Sequence, residues 1–222
     1  MINSNKIIVF DLDETLYNEE SFLFSGIENV AIFLNHKFKL NKNLLKKYMF
    51  NYLKKNGRNK IFNHTLKYFK IYTNKNLNLC IKIYRYSNRK IYLNNDSKFM
   101  LNLLKDKNIY LVTDGNKNVQ KKKIKLLNIN KYFKKIFITH NYGIHHSKPS
   151  IFCFKKICKL ENTTFKNLVY IGDDPSKDFV NLNKKKALTI RLLNGKHKKT
   201  KAKKNYDAKI KIKSLNQILN YL

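Results

Sequence analysis

Asp11 and Asp13 stand two residues apart at the end of the apolar run Ile7-Ile8-Val9-Phe10. Two carboxylates at that spacing can approach one point if the chain turns sharply after Asp11. Such a pair suits a division of labour, one carboxylate as nucleophile or metal ligand and the other as proton donor and acceptor. A solvated strand end with a helix N-cap accounts for the same residues. Gly172-Asp173-Asp174-Pro175-Ser176-Lys177-Asp178 is the most specific segment. Its three carboxylates repel one another unless a cation is present, and oxygen ligands at a strand terminus suit Mg²⁺. The competing reading is an acidic turn capping a helix that begins near Ser176. Thr113 ends a second apolar run and is followed by Asp114-Gly115-Asn116. A hydroxyl plus the N–H groups of a glycine turn can cradle phosphate oxygens, although the same residues also describe a common turn. Lys148 immediately precedes Pro149-Ser150, where its cation can neutralise both a phosphate and a carboxylate nucleophile.

Composition sharpens these choices. The chain has 47 Lys and Arg against 14 Asp and Glu, a net charge of +33. Half of the scarce acids (Asp11, Asp13, Glu14, Asp114, Asp173, Asp174 and Asp178) fall in three short clusters, and Pro149 and Pro175 are the only prolines. The charge has two readings. A basic surface can bind nucleic acid by releasing counterions. Alternatively, Lys, Asn, Ile, Tyr and Phe are inflated together along the whole chain, a compositional drift that concentrates charge nowhere. Drift is the favoured reading, and a nucleic-acid-binding protein or a phosphatase acting on nucleic-acid ends is the alternative.

The elements that position these residues alternate. Ile7–Phe10, Ile109–Thr113, Lys135–His140, Leu168–Gly172 and Ala187–Leu192 read as buried strands, most of them delivering polar residues at the C-terminal end. Helical patterns over Lys117–Asn128 and Ile151–Leu160 lie between them, and Ser214–Leu222 reads as a closing helix. Alternation of this kind implies an α/β fold, a doubly wound parallel sheet covered on both faces, with the site beyond the carboxyl ends of the strands. Residues 17–95 break the alternation and read as helices over Ser21–Lys37, Asn43–Lys55, Asn59–Tyr72 and Leu77–Ser87. No acid occurs between Glu28 and Asp96. The expected organisation is a core of residues 1–16 and 96–222 with a helical cap domain over residues 17–95.

Other candidates are weaker. Cys80, Cys153 and Cys158 are too few and scattered for a disulfide framework, so reduced, buried thiols in a cytoplasmic protein are expected. His140, His145 and His146 suggest a loop near the site more than a metal centre. Ser147, Ser150 and Ser176 lack a His–Asp pair in the pattern. The Tyr/Phe-rich helices, with Tyr68, Phe69, Tyr72, Tyr84 and Tyr86, read as packing more than as a base-stacking platform. No apolar run is long enough to span a bilayer, and Met1–Lys6 leads into too short an apolar run for a signal peptide.

In this order on successive strand ends, Asp11-Leu12-Asp13-Glu14-Thr15, Thr113, Lys148 and Gly172-Asp173 through Asp178 resemble the haloacid dehalogenase (HAD) superfamily of phosphohydrolases. The helical insert after the first motif resembles the cap of the subgroup that places it there. Leu111–Gln120 and Tyr170–Asn181 are similar to HAD proteins associated with surface-polysaccharide synthesis and with nucleotide phosphatases. The resemblance implies a HAD-like Rossmannoid core and a small phosphorylated substrate. It makes Asp11 the nucleophile that forms an aspartyl-phosphate and Asp13 the general acid and base. Mg²⁺ would be held by Asp11, the Asp13 backbone carbonyl and Asp173, with Asp178 or Asp174 acting through water. Thr113, the Asp114 amide and Lys148 would bind the phosphoryl oxygens. True dehalogenases lack the second carboxylate, so Asp13 favours phosphate chemistry. Glu14 stands where many relatives carry glycine.

Overall fold

The computed structural model describes residues 6–222; the expectation about a signal peptide concerns a start that lies almost wholly outside them. Six strands, β1 (Ile7–Phe10), β2 (Ile109–Thr113), β3 (Lys135–Ile138), β4 (Leu168–Gly172), β5 (Leu188–Leu192) and β6 (Ile210–Ile212), form one sheet in the order β3-β2-β1-β4-β5-β6. Every neighbouring pair is parallel. All five expected strands are present, and β6 is an addition whose three residues, Ile210-Lys211-Ile212, are too short a run to stand out.

The chain returns to the middle of the sheet from both sides. β1 pairs with β2 (Phe10 opposite Leu111) and with β4 (Phe10 opposite Ile171). The strand order therefore reverses beside β1, which places the carboxyl ends of β1 and β4 together at the switch point of a doubly wound sheet. Every residue of β1, β2 and β4 is buried, as parallel strands covered on both faces require.

The helices are α1 (Glu19–Phe38), α2 (Lys42–Asn56), α3 (Ile61–Tyr68), α4 (Asn74–Tyr86), α5 (Asn95–Leu103), α6 (Lys117–Leu126), α7 (Phe152–Leu160) and α8 (Val180–Lys184). On one face of the sheet Val9, Tyr110, Val112 and Tyr170 pack against Cys153, Phe154 and Ile157 of α7 and Leu182 of α8. Caps set several boundaries. Asn41 accepts from the amides of Asn43 and Leu44 at the start of α2, and Asn116 accepts from those of Asn118 and Val119 at the start of α6.

Some boundaries differ from expectation for visible reasons. The third helix, expected over Asn59–Tyr72, is confined to Ile61–Tyr68 because Lys60 and Lys70 both adopt positive φ, which ends a right-handed helix at each side. α6 stops at Leu126, two residues before Asn128, which is left-handed. The closing segment Leu215–Tyr221 is a 3₁₀ helix instead of an α-helix, opened by a capping box between Ser214 and Gln217. α5 was not anticipated; it buries Met100 and Leu101.

The chain divides into two compact units, one running to Glu19 and resuming at Ile91–Leu222, the other Glu20–Lys90. The second has its own core, in which Ile27, Val30 and Leu34 of α1 join Leu45 and Met49 of α2, Phe62 and Leu66 of α3, and Cys80 of α4. All three cysteines are free and buried. Among the described residues no helix is long and apolar enough to cross a membrane.

Ile8, 1% exposed at the centre of β1, tests the dependence of the sheet on its central strand. Ile8→Ala is expected to cost about 2–5 kcal/mol in urea unfolding, whereas Leu160→Ala, on an exposed position of α7, should stay within about 0.5 kcal/mol.

Candidate active site

The Asp11 amide donates to the Ile171 carbonyl (2.8 Å), so the first residue beyond β1 is still laced to β4. Its side chain is buried. Oδ1 accepts from Lys148 Nζ at 2.7 Å. The same ammonium lies 2.7 Å from Asp178 Oδ1 and donates to the Tyr170 hydroxyl at 2.9 Å. All three ammonium protons are therefore used inside the protein. Burial opposes the charge of Lys148, but Asp11 and Asp178 outweigh it and hold the ammonium well above its ordinary range.

Asp178 organises the loop after β4. Oδ2 accepts from the amides of Asp173 (3.2 Å) and Asp174 (2.9 Å), and Oδ1 takes the Tyr170 hydroxyl at 3.2 Å. Gly172 is required at the start of this loop, because a Cβ there would stand 2.6 Å from Asp178 Oδ2. Oxygens of Asp11, Asp173 and Asp178 lie within 4.8 Å of one another, the one group of three potential metal ligands among the described residues. Burial pushes the Asp11 carboxyl up to about 7 against the pull of Lys148. Burial, with Asp11 and Asp178 adding to it, pushes Asp173 up to about 9.

Asp174 is turned elsewhere. Its Oδ1 accepts from the Ser176 amide (2.9 Å) and hydroxyl (2.6 Å), while Oδ2 faces His197 at 3.5 Å and Lys177 at 3.9 Å. Of the two acids considered beside Asp173, it is thus Asp178 that shares the cluster with Asp11.

On the other side of β1, Thr113 is buried and its Oγ1 has no hydrogen-bond partner among the described residues. The Asp114 side chain does not face it. Oδ1 instead accepts from the Thr139 hydroxyl (2.7 Å) and the Lys148 amide (3.1 Å), tying the turn after β2 to the segment that carries Lys148. Asp13 is ringed by donors: the Tyr17 hydroxyl at 2.5 Å, Lys123 Nζ at 2.7 Å and Gln120 Nε2 at 2.8 Å. Between the two aspartates Leu12 is fully buried, and Glu14 then adopts φ 59°. That left-handed conformation turns the chain just after Asp13, and it is one that glycine adopts most readily.

The remaining candidates do not assemble. His140 Nε2 lies 3.0 Å from Ser147 Oγ, a His–Ser contact that the sequence pattern hid, but His140 has no carboxylate partner among the described residues. The His145 and His146 rings touch at a tilt, and His146 stacks on Phe152. Sequence reasoning missed Tyr17, Gln120, Lys123, Tyr170 and Lys177. Gln120 and Lys123 carry one usable signal, three-residue spacing on the same stripe of α6 as Ile124, all three buried.

The sequence model of haloacid dehalogenase-like hydrolases matches residues 8–192, from β1 to the end of β5. The chain belongs to that family and is a hydrolase of the HAD superfamily. Solved structures agree on the fold. The HAD-hydrolase YfnB from Bacillus subtilis, determined bound to magnesium, is 18% identical and superposes with a TM-score of 0.69, covering 98% of each chain. A HAD phosphatase from Thermococcus onnurineus is 19% identical with a TM-score of 0.61, covering 97% of each. A 2-haloacid dehalogenase from Pseudomonas syringae is 17% identical with a TM-score of 0.63, covering 97% of this chain and 96% of that one. No curated protein matches the chain in sequence.

The raised carboxyls give a signed dependence on pH. Asp11 and Asp173 bind their protons more tightly folded than unfolded. Their contribution to stability is complete below the ordinary value of 3.8 and is lost as pH rises through about 7 and about 9 respectively. In the presence of chelator, the urea midpoint is expected to fall between about pH 5 and pH 9, and to fall less in Asp173→Asn. A wild-type midpoint that is flat over that range, and unchanged by the substitution, contradicts the burial of these charges.

Proposed function

We propose that the chain is a Mg²⁺-dependent phosphatase that hydrolyses a small phosphorylated metabolite, a sugar phosphate or nucleoside monophosphate, through an aspartyl-phosphate on Asp11. The observation that carries this reading is the pairing of two differently held carboxylates on one turn: Asp11 buried against Lys148, and Asp13 ringed by donors two residues on. A dehalogenase needs the first and has no use for the second, whereas phosphoryl transfer to and from a carboxylate needs a proton moved in each half-reaction.

The residues fit a divalent cation. Asp11, Asp173 and Asp178 offer only oxygens, three carboxylates with the Lys148 ammonium in contact and that of Lys177 adding positive charge from farther off. The buried Asp173 Oδ2 has no hydrogen-bond partner among the described residues. A hard cation of modest size suits that donor set. Asp11, the Asp13 carbonyl and Asp173 would hold Mg²⁺, with Asp178 behind them. Bound there, the ion supplies positive charge that offsets repulsion between the Asp11 carboxylate and a phosphate dianion.

The chain's own groups do the rest. Lys148 holds Asp11 Oδ1, leaving Oδ2 to attack phosphorus. As the Oδ2–P bond forms and the bond to the leaving oxygen breaks, Asp13 gives that oxygen its proton. Asp13 then takes a proton from water, which attacks phosphorus and displaces Asp11, releasing inorganic phosphate. The Thr113 hydroxyl and the amide of Asp114 would bind the phosphoryl oxygens, because no described group uses the Thr113 oxygen and the Asp114 carboxylate is committed to Thr139 and Lys148. The helical unit, whose only acids are Glu20 and Glu28, is proposed as a cap that favours anionic substrates.

The test is turnover of p-nitrophenyl phosphate. Asp11→Asn is expected to reduce it by at least ~1,000-fold and Asp13→Asn by about 100- to 10,000-fold, with chelator abolishing it and Mg²⁺ restoring it. Turnover that survives both Asp11→Asn and metal removal rules this mechanism out.

A further inference from the structure

Asp13 is held by side chains that lie outside the four motifs. Oδ1 accepts from Tyr17 and Lys123, and Oδ2 from Gln120. The same Gln120 nitrogen donates to the Asp114 carbonyl. With Asp13 ionised, both partners of that nitrogen are acceptors only, which fixes the orientation of the amide and uses both of its protons. Lys123 is 3% exposed although it belongs to a run of lysines, with Lys121 and Lys125 of the same helix in solvent. A buried ammonium is retained only where it is paired, and Lys123 pairs with Asp13 at 2.7 Å and Glu19 at 3.3 Å. Glu19 keeps the ammonium partnered whether or not Asp13 carries a proton.

We propose that Gln120 and Lys123, one turn apart on the buried face of α6, are positioning residues that aim the Asp13 carboxyl at the leaving-group oxygen. This rests on the phosphatase reading above and deepens it. Asp13 follows a turn, and by itself its carboxyl can rotate. A general acid acts only within hydrogen-bond reach of the oxygen it protonates, and misplacement of a positioned group by an ångström costs on the order of 100-fold. Three donors to two oxygens remove the rotation. Through the Asp114 carbonyl, Gln120 also sets the distance between the proton donor and the turn proposed to receive the phosphoryl group. Gly115 makes room for this bridge, since a Cβ there would stand 3.0 Å from Gln120 Nε2.

The experiment compares two aryl phosphates on the purified full-length protein with Mg²⁺. p-Nitrophenolate departs readily without a proton, whereas phenolate departs poorly without one. A misaimed Asp13 therefore shows first in kcat/KM for phenyl phosphate. Lys123→Met and Gln120→Leu are each expected to lose about 10-fold or more on phenyl phosphate beyond their loss on p-nitrophenyl phosphate, with KM little changed. Asp13→Asn should give the same selective pattern, and Lys123→Arg should recover most of the loss. Equal losses on the two substrates, or none, overturn the proposal. If circular dichroism shows Lys123→Met unfolded, Gln120→Leu and Tyr17→Phe make the same comparison without removing a buried charge. Wild-type protein with no Asp11-dependent turnover overturns the phosphatase reading itself. Wild-type turnover with non-selective variants overturns the positioning role alone.

Discussion

The arrangement of the whole site depends on one ammonium group with no access to water. Lys148 Nζ touches Asp11, Asp178 and Tyr170 within 3 Å, and each contact fixes a different part of the chain. Asp11 belongs to the end of β1, Tyr170 to β4, and Asp178 to the loop beyond it. A buried cation of this kind is tolerated only because two of its partners are buried carboxylates and the third is a buried hydroxyl. Together they are worth far more as an organised set than as separate ion pairs, and removing any one leaves the others uncompensated. The site is thus electrostatically conditional: its buried carboxylates repel one another and depend on nearby positive charge.

The same logic explains why acids that look equivalent in sequence do different work. Asp173, Asp174 and Asp178 share one short loop, yet their surroundings separate them. Asp178 is consumed by two backbone amides and by Lys148, so it shapes the loop and charges it at once. Asp174 is drawn outward by Ser176, whose hydroxyl and amide hold its carboxyl below the usual range despite partial burial. Asp173 keeps a buried oxygen uncommitted. Asp114 shows the inverse case, a carboxylate on the turn after β2 that anchors the backbone of Lys148.

How much of this the sequence discloses follows from its bias. In a chain with 47 basic residues, an aspartate at the end of an apolar run is conspicuous, so Asp11, Asp13 and the loop after β4 stand out and the parallel sheet follows from the runs that precede them. Lysine is inconspicuous for the same reason. Lys148 could be singled out only by the proline after it, and Lys123, buried against Asp13, is hidden in a row of three lysines. Tyr170 is equally hidden, because a tyrosine inside an apolar strand reads as core until its hydroxyl is seen between Lys148 and Asp178. Helix ends set by positive φ at Lys60 and Lys70 leave no trace in residue type. The choice between Asp174 and Asp178 depends on how a loop folds back on itself, which spacing alone does not decide.

The position of β1 in the sheet governs the order in which the protein can be built during synthesis. Ile8 lies between Ile109 and Val169, so β1 finds its earlier sheet neighbour about a hundred residues later in the chain and its second some sixty after that. The segment made in between, Glu20–Lys90, carries a core of its own and has all of its partners within reach long before. The inserted helices thus have partners that are near in the chain, whereas the apolar tetrapeptide of β1 depends on distant ones. Closure of so distant a contact is slow.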